Sequence, residues 1–175
     1  MATLTKGSFS LNLGFAKLGA ELSDQDRQCA WELYTELSTR VAVIGKSNDP
    51  DCNNFEGELY IESLVSLYNF FQEARKIMRK FPVGKIQTDN QQHLGVMINR
   101  VLENVLRPFL EKWQVRYRHW WENESNPRLL PIARQAGFPE LNEFLDDWCA
   151  VRGLMRELQK KLIRVYSLVD VGANV

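Results

Sequence analysis

The sequence predicts an all-α protein, an up-down-up-down four-helix bundle with an extended N-terminal arm. Four stretches place apolar residues three and four positions apart, and turn-forming segments separate them. The last stretch carries an apolar heptad seam, which other helices must cover. The seam consists of Leu141, Phe144, Trp148, Val151, Met155, Leu158, Leu162, Val165 and Val169. A chain of 175 residues has the size of one domain, so residues 23–170 are expected to share one core.

The N-terminal arm, residues 1–22, carries the one strand-like pattern of the chain. Strict alternation places Phe9, Leu11, Leu13 and Phe15 on one side of an extended segment. A lone strand in a helical protein has no partner, which leaves two interpretations. The arm either lies along its own helices and fills a groove, or it pairs with a sheet edge or docks on another subunit through these four side chains.

The first helix is predicted from Ser23, which can cap its N-terminus, to Gly45. Its apolar face comprises Ala30, Leu33, Leu37, Val41 and Ile44. Residues 46–54 are dense in turn formers and predict a loop. Cys52 lies in this loop, where its side chain is expected to be exposed to solvent.

The second helix is predicted from Phe55 to Phe81, where a Pro-Val-Gly sequence follows and stops it. Its apolar face comprises Tyr60, Leu64, Leu67, Tyr68, Phe71, Ala74 and Met78. The third helix is predicted over residues 89–124, with a bend or a break at Pro108. At 100° per residue, six of its side chains share one face and are expected in the core. They are Leu102, Leu106, Phe109, Trp113, Tyr117 and Trp120.

The fourth helix is predicted to begin near Pro139 and to carry the heptad seam. Residues 171–175 are expected to form a flexible tail. Because the other three amphipathic helices supply enough apolar surface to cover the seam, we expect it to be the spine of an intramolecular bundle. A coiled-coil dimerisation helix is the less favoured interpretation.

The C-terminal end of helix three interleaves tryptophans with cations. Trp121 lies on one flank of the core face, Arg116 and His119 lie on the other, and Arg118 points nearly away from it. Aromatic rings beside guanidinium groups can clamp bases or phosphates, which suits RNA or single-stranded DNA. The same pattern arises where cations near a helix C-terminus pack their stems over aromatic rings. The structural interpretation is favoured, because only Trp121 is expected to be available to a ligand.

Nine cations would gather at one pole of an up-down-up-down bundle, where the second and fourth helices end. They are Arg75, Lys76, Arg79, Lys80, Lys85, Arg156, Lys160, Lys161 and Arg164. Such a cluster could bind anions, including nucleic acid. Helix one begins at the same pole with Glu21, Asp24 and Asp26, so a balanced, solvated end is the alternative.

The charge balance excludes a global electrostatic attraction to nucleic acid or to an anionic membrane, because 22 basic residues stand against 22 acidic ones. The three cysteines include no C-x-x-C pair, which argues against a disulfide framework and favours a reducing cytosol. No stretch approaches the roughly 20 apolar residues of a membrane span. The expectation is a cytoplasmic protein that does not bind membranes.

Sequence motifs for catalysis and metal binding are missing. The two histidines lack the Glu-x-x-His spacing of a di-iron bundle. There is no P-loop, no Gly-x-Gly-x-x-Gly and no Gly-x-Ser-x-Gly, so nucleotide binding and a hydrolase elbow lack support. We therefore expect no enzymatic activity, no cofactor and no metal.

The segment VLENVLRPFLEKW, Val101–Trp113, resembles stretches of small helical proteins from prokaryotic genomes, including some encoded beside defence systems. The pair Phe81-Pro82, followed by HLG at 93–95, resembles the four-helix accessory proteins of retroelement reverse transcriptases, which bind RNA and polymerase. The first resemblance implies a partner protein in a defence complex, and the second implies RNA binding. Those accessory proteins are strongly basic, whereas this chain is neutral.

The leading hypothesis is a non-enzymatic helical interaction subunit that binds a larger effector protein or associates with itself. Its contact residues would be those of the N-terminal arm and Trp121. The alternative is an RNA- or single-strand-binding accessory module, which would use Arg116, Arg118 and His119, or the basic pole.

Overall fold

The computed structural model describes residues 3–6, 9–12, 24–81 and 94–170. Apart from one short hairpin, every element in these ranges is helical. In chain order, the elements are β1 (Thr3–Lys6), β2 (Phe9–Asn12), α1 (Asp24–Ser38), α2 (Val41–Ile44), α3 (Tyr60–Lys80), α4 (Leu94–Val101), a π-helical turn (Leu102–Leu106), α5 (Arg107–Asn123), α6 (Pro131–Gln135) and α7 (Leu141–Tyr166).

The long helices surround one hydrophobic core. The helix α1 packs against α3 and α7, α5 packs against the same two helices, and α2 contacts α3 and α7. The largest fully buried apolar side chains are Trp113, Trp148, Tyr34, Tyr117 and Phe70. The predicted all-α class is confirmed, and the up-down-up-down order of the long helices stays a prediction. None of the described helices is long and apolar enough to cross a membrane.

The heptad seam lies on α7, and most of it is buried as predicted. Every seam position from Phe144 to Leu162 has at most 1% of its surface exposed. The helix ends at Tyr166 because Ser167 adopts a left-handed backbone conformation with φ 52°. The assignment of Val169 to the seam is wrong, since this residue lies beyond the helix and is 66% exposed.

The predicted first helix is two helices, because the chain leaves helical geometry after α1. The hydroxyls of Thr35 and Thr39 donate to carbonyls one turn back, at 3.0 and 2.8 Å, a bond that bends helices. Arg40 then adopts an extended backbone with φ −117°. The expected burial of Val41 is wrong, since it is 47% exposed. The helix α2 ends at Gly45, whose φ of 71° favours glycine.

The predicted third helix contains a π-helical turn directly before Pro108. The N–H of Arg107 donates to the carbonyl of Leu102, five residues back. In a regular helix a proline ring collides with the carbonyl four residues earlier, and a wider turn relieves that collision. The six predicted core side chains are all buried: Leu102, Leu106, Phe109, Trp113, Tyr117 and Trp120.

The N-terminal strand has a partner within the chain, so the expectation of a lone strand is wrong. β2 pairs with β1 in an antiparallel hairpin, with Leu4 opposite Leu11 and Lys6 opposite Phe9. The hairpin contacts α7 and the π turn, as in the interpretation that places the arm along its own helices. The other two predicted contact residues, Leu13 and Phe15, lie outside the described ranges.

The loop between α2 and α3 folds inwards. The Asp49 carboxylate accepts a hydrogen bond from the N–H of Asn54 at 2.8 Å, and the Asp49 carbonyl accepts one from the N–H of Cys52 at 3.3 Å. Cys52 is 1% exposed, so the expectation of an exposed thiol is wrong. The helix α6 has no counterpart in the prediction, because five residues are too few to show a helical period.

Candidate functional site

Two adjoining grooves run along the outer face of α3 and α5. The first lies over the π turn and has a volume of about 590 Å³. The second lies towards the C-terminal end of α5 and has a volume of about 710 Å³. They share Tyr68, Gln114 and Val115, and they therefore form one continuous surface, the α3/α5 groove.

The floor of the α3/α5 groove is apolar. Val115 is 72% exposed, Tyr68 is 40% exposed, and Val65 and the half-buried Phe71 lie beside them. The assignment of Tyr68 to the core is therefore wrong. The core face of α3 is filled by other side chains, Tyr60, Leu64, Leu67, Phe70, Ala74 and Ile77, which leaves Val65 and Tyr68 turned towards solvent.

Charged side chains border this apolar floor. The Nε of Arg107 donates to Glu111 at 2.9 Å, and both side chains are more than 60% exposed. Donation of this hydrogen bond to Glu111 raises the pKa of Arg107. Arg118 and Glu122 border the other end of the groove. An apolar centre with a charged rim is the usual anatomy of a protein interface.

The π turn shifts the main-chain hydrogen bonding of the helix beside this groove. The carbonyl of Glu103, a residue that lines the groove, would accept from an N–H four or five residues on. The N–H of Arg107 donates to Leu102, and Pro108 has no N–H. Pro108 therefore removes one of the donors that a helix could offer to the Glu103 carbonyl. Such π turns are frequent at functional sites.

The predicted contact residue Trp121 is half-buried. The guanidinium carbon of Arg134 lies 4.0 Å from the Trp121 ring centre, and Arg134 also donates to the Trp121 carbonyl. The ring of Tyr117 stacks with it at 6.1 Å between ring centres and an angle of 20°. These contacts favour the structural interpretation of this tryptophan, in which a cation packs on the ring.

The predicted cation stripe of helix three lies among carboxylates. Arg116 donates to Glu140 at 3.0 Å, and the Nε2 of His119 lies 3.3 Å from a carboxylate oxygen of Glu124. Arg118 borders the α3/α5 groove. His119 lines the same groove, so the structure places two of the three predicted residues at the groove and Arg116 in a surface ion pair.

The predicted basic pole also carries ion pairs. Lys80 pairs with Glu32 of α1 at 3.1 Å, and Lys160 pairs with Glu157 at 2.9 Å. Lys161 is half-buried, and burial lowers its pKa. These contacts are those of a balanced helix end, the alternative to an anion-binding patch.

Two members of the predicted pole, Arg156 and Arg75, lie elsewhere in the structure. The assignment of Arg156 to the pole is wrong, because its guanidinium donates to carbonyls at the end of α2 and in the loop that follows. Arg75 lines the α3/α5 groove. Lys85 lies outside the described ranges, and Arg79 and Arg164 are exposed.

A buried polar contact holds α5 against α7 and so positions the groove. The Nε1 of Trp113 donates to Asp147 at 2.9 Å, and the Nζ of Lys112 donates to Asp147 at 2.8 Å and to Glu143 at 2.7 Å. The two carboxylates raise the pKa of Lys112. Because α5 is held on this side, its opposite face, with Val115, is presented to solvent.

The residues predicted from sequence cover only part of the groove. Among its titratable residues on α5, Arg118 and His119 were predicted as site residues, whereas Arg107, Glu111 and Glu122 were not. A signal for them exists, since these charges recur on the helix face opposite the predicted core residues. Their proximity to Tyr68 on α3 depends on how two helices pack, and the sequence pattern of one helix does not indicate it.

Metal-ligating clusters and the Cys29 thiol are the other features of the described residues that could carry chemistry. Among the residues that the structure describes, no three His, Cys, Asp or Glu side chains are grouped to hold a metal ion. Burial raises the pKa of the Cys29 thiol to about 11, which keeps it protonated near neutral pH. Comparisons with protein-family models, with curated proteins and with solved structures find no match for this chain.

Proposed function

We propose that the protein is a non-enzymatic helical interaction subunit that binds a protein partner, or a copy of itself, through the α3/α5 groove. The observation that carries the proposal is the exposed apolar floor formed by Val115 and Tyr68. Exposed apolar patches with polar rims mark interaction sites on soluble proteins. The groove therefore takes the place of the N-terminal arm and Trp121 as the main contact surface.

The resemblance of Val101–Trp113 to small helical proteins supports the same proposal. This segment contains the π turn and the start of α5, and several of its residues line the groove. The proposed setting is a multi-protein complex of the kind encoded beside prokaryotic defence systems, where such a subunit would assemble with a larger effector.

A nucleic-acid function has less support from the geometry. Base-clamping needs an open aromatic face beside unpaired cations. Trp121 is stacked against Arg134, and Arg116 pairs with Glu140. The RNA-binding alternative keeps Arg118, which lies at the edge of an apolar groove, and the exposed Arg79 and Arg164 of the basic pole.

Substitution of the groove centre tests the proposal. Val115→Glu places a charge on the floor, and Val169→Glu is the matched control, because Val169 is a similarly exposed valine beyond α7. Light scattering of the purified protein and affinity purification from cells of the source organism would measure self-association and partner binding. Wild type and Val169→Glu should keep a stoichiometric partner, and Val115→Glu should lose it while its circular dichroism is unchanged.

Two results would contradict the proposal. In one, the wild-type protein forms no stoichiometric complex with itself or with another protein. In the other, Val115→Glu keeps every association of the wild type, which would show that the α3/α5 groove is not a contact surface.

A further inference from the structure

The exposed face of α5 carries charges in a self-complementary order. Arg107 and Glu111 lie on one side of Gln114 and Val115, and Arg118 lies beyond them. Glu122 completes the face, so the order along the helix is positive, negative, neutral centre, positive, negative. All these residues line the α3/α5 groove. The face spans about 22 Å, or four helical turns.

A second α5 packed antiparallel on this face would meet opposite charges at every charged position. With a two-fold axis between Gln114 and Val115, residues equally far from the centre face each other. Arg107 of one copy then faces Glu122 of the other, and Glu111 faces Arg118. Two-fold symmetry makes each pair occur twice, which gives four interhelical ion pairs. A parallel arrangement would place like charges together, so the charge order selects the antiparallel one.

The apolar residues of the groove lie where this arrangement needs them. Val115, with 72% of its surface exposed, would lie beside the two-fold axis and lose its contact with water. Tyr68 of α3 flanks the same point and would contact the second helix from the side. Because a two-fold interface uses the same patch on both copies, one self-complementary face is sufficient.

We propose that the partner seated in the α3/α5 groove is a second copy of this chain, and that an antiparallel pair of α5 helices forms the centre of a two-fold dimer. This inference rests on the proposed interaction function and specifies its partner. The complementary charges fix how the two α5 helices align, and the apolar centre provides the surface that dimerisation removes from water.

A charge-swap experiment tests this dimer. In the acidic variant, Arg107→Glu and Arg118→Glu make all four charges of the face negative. In the basic variant, Glu111→Lys and Glu122→Lys make all four positive. Each variant alone changes four attractive pairs into repulsive ones, so its homodimer Kd should rise about 100-fold. An equimolar mixture restores every pair and should form a heterodimer with a Kd within about tenfold of that of wild type.

The matched control reverses an ion pair elsewhere on the bundle. Lys160→Glu with Glu157→Lys changes exposed charges on α7 and should leave the dimer intact. Sedimentation equilibrium at protein concentrations up to about 100 μM, with one variant carrying a mass tag, separates homodimers from heterodimers. The wild-type dimer should also weaken when salt is raised from about 0.05 to 0.5 M.

The outcomes separate this inference from the proposed function. A wild-type monomer at about 100 μM, or a mixture of the two variants that does not associate, overturns the dimer. If that monomer still binds another protein and Val115→Glu abolishes the binding, the interaction function stands without the dimer. If Val115→Glu leaves all association unchanged, both proposals fall.

Discussion

Replacing Glu58 with glutamine should lower the free energy of unfolding by about 3–5 kcal/mol. Glu58 accepts two hydrogen bonds, at 2.6 and 2.8 Å, from one nitrogen of Arg152 on α7. The Arg152 side chain is fully buried and the Glu58 side chain is 9% exposed. The guanidinium carbon also lies 4.1 Å from the ring centre of Phe55. The loop before α3 is thereby fastened to the middle of the heptad seam.

The expected loss of unfolding free energy is large because the substitution removes the hydrogen-bonded carboxylate of a buried arginine. Arginine does not lose its proton in proteins, so Arg152 in the Glu58→Gln variant would remain a buried cation without its hydrogen-bonded counterion, and the Asp49 carboxylate would be the nearby negative charge that still acts on it. Its second terminal nitrogen, Nη1, already has no hydrogen-bond partner among the described residues. Glutamine preserves the shape of the side chain, and the loss therefore reports the charge. Against a total stability of about 5–15 kcal/mol, such a loss is large.

Replacing both Glu58 and Arg152 should lower the free energy of unfolding by less than replacing Glu58 alone. A Glu58→Met and Arg152→Met double variant leaves no unpaired charge and keeps similar volume, so its loss should be smaller than that of Glu58→Gln. This ordering distinguishes an uncompensated charge from a simple loss of packing.

Urea titration at a fixed protein concentration measures these differences. The control is Glu157→Gln, which breaks the exposed pair with Lys160 and should change stability by less than about 1 kcal/mol. The reasoning is refuted if Glu58→Gln loses less than about 1 kcal/mol, or if the double variant is less stable than the single one.

The remaining predictions concern a buried amide, a helix end and a buried thiol. Gln135→Leu should lower the free energy of unfolding by about 1–3 kcal/mol. The Gln135 side chain accepts a hydrogen bond from the N–H of Tyr60 at 3.0 Å and donates one to the Glu58 carbonyl at 2.8 Å, and leucine can make neither. An unchanged melting temperature would contradict this prediction. Ser167→Gly should raise the unfolding free energy by up to about 1 kcal/mol in a guanidinium titration, because glycine adopts φ 52° without steric cost, and a loss of stability would speak against the argument. Burial and the nearby carboxylates raise the pKa of Cys29 from its ordinary 9.0 to about 11. The protonated thiol therefore makes a contribution to the unfolding free energy that is complete below pH 9 and is lost as the pH rises through 11. Cys29→Ala should flatten that fall in alkaline denaturation, and equal slopes would show that the thiol is not responsible.

Long, regular patterns were predictable from sequence because each residue's place follows from its own helix. The seam on α7 from Phe144 to Leu162 and the six core residues of helix three lie where a helical wheel places them. The predictions failed where another element intervened. Tyr68 fits the apolar period of α3, but α5 packs beside it in a way that leaves it on a groove.

Loops were the other source of error. Cys52 was expected to face solvent from its acidic, turn-rich surroundings, and Val41 was expected to continue a helical face. The loop instead folds back on Asp49, and α1 ends before Val41 is reached. Turn-forming residues indicate that a chain changes direction, and they do not specify towards what it turns.

The sequence by itself determined the helical class, the buried faces of the two longest apolar patterns and the charge order along α5. These depend on periodicity and on neighbours within one helix. Only the tertiary structure decided that Arg152 is buried against Glu58, that Arg156 holds a loop instead of joining a basic pole, and that Tyr68 and Val115 meet in one groove. The physical reason is that these contacts join residues far apart in the chain, and their formation depends on how the helices pack.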